Sequence, residues 1–487
     1  MKIILWLHRY LGVAIGLLMV LWCLSGFVMM YQGWPLVTPQ ERIQGLPPLG
    51  PDERRDLSAI PLAEDAALGS FTVEMLGERL ALRSTLGAFD LETGAPIQGV
   101  DESTARDTAI DFAAAHGMAG VIDRAELIAF DQWSIQERRQ GPLWRFHLDG
   151  PARAILYVSS TTGQVAQAAT GRERLLSWFG AIPHWLYPTV LRQHGGTWTQ
   201  VVIWTSALGV FLTLTGLYVG IARFRRRPNG RWSPYRKVWL WHHYTGLVFG
   251  LLALTWVFSG LLTMGPFGPL QSRPFPEARQ IAGEMRWADA RAVIQAALAR
   301  PDSGQIVQIE SAPLAGRAFA LAHYQDGQTI RLDASGAEAL VGDAELRAAL
   351  EAAGGPLMGA SFELLRREDA YHYSLHDDVE LPVWRVRTAE ENSRLVYLSA
   401  MSGRVLRTYD NAGRATRWLM SGLHSFDFPG LRARPVWDIV VLPLLAGVTL
   451  LCAIGFWLAI DRVRKDWRMA TRRTRTRRAS AASDPAQ

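Results

Sequence analysis

Cysteine is nearly absent: of 487 residues only Cys23 and Cys452 carry a thiol, and each sits inside an apolar run. That excludes a multi-disulfide framework, a cysteine-ligated zinc or iron–sulfur centre and the C-x-x-C-H attachment of a c-type haem. A G-x-G-x-x-G after a strand and a P-loop are both missing, so no dinucleotide or nucleoside triphosphate has a recognisable cradle. Acidic residues are absent between Arg223 and Lys237. The net charge of +6 suggests nucleic acid only until the cations are located. They cluster beside apolar runs, where orientation in a bilayer is the plainer cause, and no nucleic-acid partner is expected.

What is present is apolar length. Hydrophobic residues make up 49% of the chain and the mean hydropathy is +0.05, a mixture expected of membrane helices carrying water-soluble domains. Nineteen tryptophans suit helix ends at lipid interfaces. Four runs carry no charge: Tyr10 to Met30, Thr197 to Ala222, Tyr244 to Met264 and Ile439 to Ile460. At about 1.5 Å per residue, each is long enough to cross a hydrocarbon core of about 30 Å. The first run exceeds a usual signal-peptide core and lacks the small-residue cleavage pattern, so it reads as a retained span. The arginines from Arg223 to Arg236 with Lys237, and those from Arg462 to Arg478, place both termini in the cytoplasm of a bacterial inner membrane by the positive-inside rule. The long segments after the first and third spans then face the periplasm.

The sequence repeats itself. His8, Tyr10, Gly12, Gly16, Trp22 and Ser25-Gly26 recur as His242, Tyr244, Gly246, Gly250, Trp256 and Ser259-Gly260, at a constant offset of 234 (8 to 242, 26 to 260). Later landmarks recur at 240: Trp144 and Trp384, Tyr157 and Tyr397, Gly163 and Gly403, Trp178 and Trp418, His184 and His424. The expected fold is therefore an α-helical membrane protein of two parallel repeats, related by a pseudo-twofold along the membrane normal, with two outer α+β domains. The expected division is helix 1 at 5–31, outer domain 1 at 32–172, an interfacial segment at 173–195 and helix 2 at 197–222. A basic loop follows at 223–238, then helix 3 at 239–264, outer domain 2 at 266–412, an interfacial segment at 414–434, helix 4 at 436–460 and a basic tail at 461–487, disordered at its end. Within the outer segments, Glu102 to His116 has helical periodicity, Trp144 to Leu148 and Ile155 to Val158 alternate as strands, and Thr161 to Gly163 supplies a turn.

Duplication turns four histidines into two pairs. His8 and His242 open spans 1 and 3, whereas His184 and His424 precede spans 2 and 4. A parallel twofold brings equivalent residues face to face, and two trans imidazoles suit a haem iron. The bland reading of any one interfacial histidine is a satisfied polar group near headgroups, and duplication preserves packing residues too. His243 points about 100° away from His242 on a helix and is expected to miss the same iron, remaining an auxiliary candidate. His194, matched by Arg434, is read as a contact to propionate, lipid or substrate. Arg192 and Arg432 match each other and have two readings, propionate partners or anchors to phosphate headgroups. His372 and His376 have helical ligand spacing but read as a surface strand, about 13 Å apart. His116, His147 and His323 read as structural. The loop and tail are too short for a flavin or nicotinamide domain, so electrons must come from another molecule: a soluble flavin, a reductase or quinol.

The His-Arg-Tyr-Leu-Gly opening with Ser25-Gly26, its His-His-Tyr-Thr-Gly copy with Ser259-Gly260, and the pieces Tyr157 to Gly163 and Leu381 to Val386 resemble the PepSY-associated transmembrane family. The likeness runs from Leu5 to about Arg464. It implies two periplasmic PepSY-like domains, two haem b groups, and the activity of an inner-membrane ferric-siderophore reductase, with His8, His242, His184 and His424 as haem ligands. Electrons from the cytoplasmic or quinol side would pass to a ferric siderophore or other ferric chelate held in the periplasm, the PepSY pair forming a cleft in which Arg145, Arg385, Trp144 and Trp384 are candidates. A competing reading is a non-enzymatic scaffold whose PepSY domains bind a peptide, protease or signalling partner; a third keeps the haems and changes the acceptor to copper, free ferric ion or a respiratory partner.

Overall fold

The computed structural model describes residues 1–50, 57–374, 379–390 and 392–482. The chain divides into two compact units, one comprising Met1–Gly33, Leu176–Pro269 and Thr416–Gln487, the other Trp34–Leu175 and Leu270–Ala415.

The first unit is built on four long helices: α1 (Lys2–Met29), α2 (Gly195–Arg223), α3 (Val238–Leu262) and α4 (Val436–Ala482). All four contain stretches long and apolar enough to cross a membrane. Each packs on two others, α1 and α3 both touching α2 and α4, so α1 and α3 face each other diagonally. Small residues set the approach. At Gly447 on α4 an added Cβ would run into the Phe249 ring of α3, and at Gly209 on α2 it would lie 2.8 Å from Val257. Cys23 on α1 meets Cys452 on α4, Sγ to Sγ 3.9 Å, as one more small packing contact. Helices α1 to α3 lie over the stretches 5–31, 197–222 and 239–264. Helix α4 continues beyond 460, and residues 483–487 lie outside the described residues. Short helices precede α2 (Ala181–Trp185) and α4 (Leu423–Ser425), and each ends on a left-handed residue, Leu186 at φ 51° and Phe426 at φ 53°.

The second unit is β-rich. Strands β1 (Val121–Ile128), β2 (Leu143–Asp149), β3 (Ile155–Ser159) and β4 (Val165–Ala169) form an antiparallel meander. Strands β5 (Ser361–Leu365), β6 (Val383–Arg387), β7 (Leu395–Ser399) and β8 (Val405–Tyr409) form another. Gly163 and Gly403 close the β3–β4 and β7–β8 turns, each at φ 72°, where a side chain would be strained. The helix Glu102–Ala115, capped by the Asp101 carboxylate on Thr104 N–H, packs on the first meander through Ala105, Ala109 and Phe112. The helix Asp343–Ala353 packs on the second through Leu346, Ala349 and Leu350. Early in this unit, Pro39–Gln44 forms a short helix with a Thr38/Glu41 capping box.

The outer segments, expected as two domains, share a third sheet. Strands Phe71–Leu76, Arg79–Ser84 and Gly87–Asp90 from the first join Ile306–Ser311, Ala320–Tyr324 and Thr329–Leu332 from the second. The seam pairs Val73 with Ile309, flanked by Thr72 with Glu310 and Glu74 with Gln308. Phe71, Val73, Ile306 and Ile309 are buried there with Trp287 and Ile294 of the helix Trp287–Leu298. The two segments therefore have a common core.

Candidate functional site

Helix α1 carries His8, Gly12 and Gly16 at i, i+4 and i+8, and α3 carries His242, Gly246 and Gly250 in the same register. Four-residue spacing keeps each trio on one helix face, and all six line a cavity with about 190 Å³ of water-accessible space. Nothing lies within 4 Å of a Cβ built on Gly12. The His8 and His242 rings face each other across the bundle, centroids 6.2 Å apart and planes 28° from parallel. Two imidazoles sharing one metal ion in trans, each nitrogen about 2.0 Å from it, have centroids about 6.3 Å apart. The observed spacing fits that arrangement.

The tautomer follows from the partners. His8 Nδ1 lies 3.0 Å from the Leu212 carbonyl oxygen, which can only accept, so Nδ1 carries the proton and Nε2 keeps its lone pair. His242 Nδ1 is buried and makes no hydrogen bond among the described residues. Glycines back both rings. A Cβ on Gly216 would sit 2.6 Å from His8 Cε1, and one on Gly455 would sit 3.0 Å from His242 Cε1.

The other pair sits toward the opposite ends of α1 and α3. His184 and His424 have ring centroids 6.0 Å apart, with planes at 68°. Here the partner is a serine. Ser25 Oγ donates to the Trp22 carbonyl at 3.0 Å and lies 3.0 Å from His184 Nδ1. Ser259 Oγ donates to the Trp256 carbonyl at 2.9 Å and lies 3.0 Å from His424 Nδ1. With its proton committed, each hydroxyl oxygen accepts from Nδ1–H. Nε2 of both histidines again keeps a lone pair and makes no hydrogen bond among the described residues. From His8 to Ser25, and from His242 to Ser259, is 17 residues, so the pairs stand about 25 Å apart along the helices. Among the described residues no three His, Cys, Asp or Glu side chains converge on a metal site. A bare ion would find two protein ligands here, whereas a macrocycle brings the other four itself.

A family model for the PepSY-associated TM region matches residues 5–462. The chain belongs to the PepSY-associated TM family. It is a membrane protein, with four membrane-type helices and β-sheet domains. A search of curated proteins finds no match.

The remaining residues singled out in this PepSY-associated chain have other surroundings. His243 is buried, with Nε2 2.8 Å from the Gly220 carbonyl oxygen and Nδ1 2.8 Å from Ser233 Oγ. Both ring nitrogens are thus engaged. His194 is exposed at the start of α2. Arg192 lies over the Tyr187 and Trp198 rings, at 5.1 and 4.7 Å. Arg432 is half-buried, its backbone N–H on the Phe428 carbonyl. His372 corrects the surface-strand reading: it is buried in a loop, stacked on Tyr397 at 5.3 Å, with Nε2 2.9 Å from the Glu380 carbonyl oxygen. His376 lies outside the described residues. His116 reaches the Glu41 carbonyl and His323 the Thr329 hydroxyl.

The strand pairs Trp144/Arg145 and Trp384/Arg385 split between sheet faces, as alternation requires. Trp144 and Trp384 donate to the Val100 and Val341 carbonyls on the helix side. Arg145 binds Asp131 and Glu126, and Arg385 binds Asp369 and Glu363. Tyr157 and Tyr397 hydroxyls donate to the same aspartates at 2.8 and 2.7 Å. Burial alone would raise both aspartates. Those bonds and backbone N–H groups outweigh it and hold both carboxyls below the usual range. The arginines are committed to sheet structure. In the sequence Ser25-Gly26 and the repeated glycines are landmarks of the repeat, and their spacing from each histidine, four and eight or seventeen residues, is the signal for their roles.

Proposed function

We propose that this protein is a dihaem transmembrane electron carrier that delivers electrons to a ferric chelate, such as a ferric siderophore, on the outer side of a bacterial inner membrane. The observation that carries the reading is the recurrence of one arrangement twice: paired imidazoles 6.2 and 6.0 Å apart, with Nδ1 hydrogen-bonded in three of the four. A b-type haem held in each pair supplies one-electron transfer. His8 and His242 would hold one group and His184 and His424 the other. Leu212, Ser25 and Ser259 fix the tautomer and ring orientation, a hydrogen bond that also raises ligand basicity. Gly12, Gly16, Gly246 and Gly250 line the cavity beside the first pair.

The parallel-repeat architecture supports this assignment. Exchanging the two halves maps Thr72, Val73 and Glu74 onto Gln308, Ile309 and Glu310, and the pairing register maps onto itself with Val73–Ile309 at its centre, as an isologous contact requires. In the helix unit the same exchange maps His8 onto His242 and Ser25 onto Ser259. The basic loop between α2 and α3 orients the His8–His242 end toward the cytoplasm. Iron enters as substrate: hard Fe³⁺ prefers the charged oxygens of a chelate, and Fe²⁺ is held by them much more weakly.

The test is haem stoichiometry and the visible spectrum of the pure protein. Two haems per chain with a Soret band that sharpens on reduction, followed by reoxidation with a ferric siderophore, is the expected result. A colourless preparation from haem-replete cells sinks the reading and leaves the scaffold. Reoxidation by copper or free ferric ion alone reassigns the acceptor.

A further inference from the structure

The loop between α2 and α3 is more than a source of positive charge. Arg225 N–H bonds to the Trp232 carbonyl at 3.0 Å and Arg227 N–H to the Arg231 carbonyl at 2.9 Å, closing a small hairpin. Gly230 turns it at φ 73°, and Arg231 N–H bonds to the Asn229 side chain. Phe224 and Trp232 stack across its base, 5.4 Å apart. Just beyond, buried Ser233 is tied to His243, whose other nitrogen binds the last turns of α2. Tyr235 packs edge-on against His243 at 5.3 Å. The hairpin is thus anchored on the neighbour of His242, at the mouth of the inner cavity.

Its charge is uncompensated. Arg225, Arg226, Arg231, Arg236 and Lys237 are exposed, and among the described residues none of them pairs with a carboxylate. The other basic segment differs: Arg462 pairs with Asp466 at 2.9 Å and Lys465 with Asp461 at 2.5 Å along α4. Orientation in a bilayer, or attraction to anionic headgroups, needs cations near the interface and places no demand on the loop's conformation. Here a turn, a ring stack and a buried histidine fix the backbone from which the guanidinium groups project, so that a complementary surface can read their spacing.

We propose that this hairpin is the docking surface for the electron donor, and that the donor is a small acidic redox protein rather than quinol. The inference rests on the proposed function for the direction of electron flow. Among the described residues there is no nucleotide-binding fold, so the reductant is a separate molecule, and the proposed direction of flow brings it to this end. Charge complementarity speeds such encounters by about 10- to 1,000-fold at low salt.

The test uses the full chain in nanodiscs and flavodoxin, a small acidic flavoprotein, as the probe. Binding of oxidised flavodoxin is followed by biolayer interferometry at low and at physiological ionic strength, where the Debye length is about 30 and about 8 Å. Stopped-flow haem reduction by photoreduced flavodoxin is measured beside reduction by dithionite. The expected result is salt-sensitive association in zwitterionic nanodiscs. R225E/R226E/R227E should associate at least about tenfold more slowly, with the dithionite reaction and the spectrum unchanged. R226Q/R231Q, which keeps more of the orienting charge, should fall between. Equal association by wild type and both variants overturns the proposal. So does salt-insensitive binding, or anionic lipid retained by the wild type and lost from the variants with flavodoxin binding unaffected. A preparation without a Soret band removes the haem reading, and the binding measurement still decides the docking.

Discussion

Gly216 on α2 gives the sharpest test of the inner histidine pair. An alanine there places a methyl group 2.6 Å from His8 Cε1 and 3.2 Å from its Nδ1. Carbon–carbon contact is relaxed at about 3.5–4.0 Å, so the imidazole must retreat by about 1 Å. It cannot do so and keep its bond to the Leu212 carbonyl at 3.0 Å. For the fold the change is nearly neutral: replacing a mid-helix glycine gains about 1 kcal/mol in propensity, and the overpacking costs about 1–3 kcal/mol. For ligation it is not, because a ring displaced by about 1 Å no longer presents Nε2 to a shared iron. Gly216→Ala should therefore express and insert normally, and lose the inner haem or leave it with one axial ligand. The outer haem should be untouched. Gly455→Ala, whose methyl would stand 3.0 Å from His242 Cε1, should do the same more weakly. Haem per chain by the pyridine haemochrome method, with low-temperature EPR to count low-spin centres, reads both variants. Two unperturbed low-spin haems in Gly216→Ala would remove His8 as a ligand, and the geometric argument with it.

Four further outcomes are expected. Gly12→Phe meets no protein atom at its Cβ but fills the inner cavity, so the protein should fold and bind a single haem, counted in the same way. Ser25→Ala and Ser259→Ala remove the acceptor from His184 and His424 Nδ1 and should weaken outer haem retention by about 10- to 100-fold, read by transfer of haem to apomyoglobin. His243→Ala should keep two haems yet cost about 2–4 kcal/mol through its two lost hydrogen bonds, visible as a lower midpoint in thermal unfolding followed by tryptophan fluorescence. Asp131 and Asp369 are held below their ordinary acid strength range in the folded sheets, so their contribution is full above the unfolded value of about 3.9 and fades as pH falls through the lower folded value. Unfolding midpoints should drop below about pH 4, and Asp131→Asn/Asp369→Asn should flatten that drop; an unaltered acid limb would contradict it.

What could be read from sequence had local causes. Charge-free runs gave the four membrane helices, and alternation around Trp144 and Trp384 gave strands β2 and β6. The shared sheet was hidden because its seam joins Val73 to Ile309, a pairing no local pattern announces, between strands only six residues long. His372 was misread because burial against Tyr397 is likewise a tertiary fact. The histidine pairs lie between these cases. Their recurrence was visible, and recurrence alone serves packing as well as ligation. The distinction comes from the hydrogen bonds. His243 has both ring nitrogens engaged, with Ser233 and Gly220. His8, His184 and His424 each spend Nδ1 on a fixed acceptor and leave Nε2 without a hydrogen bond among the described residues, with a second imidazole ring 6.2 or 6.0 Å away, centroid to centroid. An open nitrogen beside a second imidazole, repeated at both ends of the bundle, is what a haem iron needs from its histidines, and packing alone does not require it.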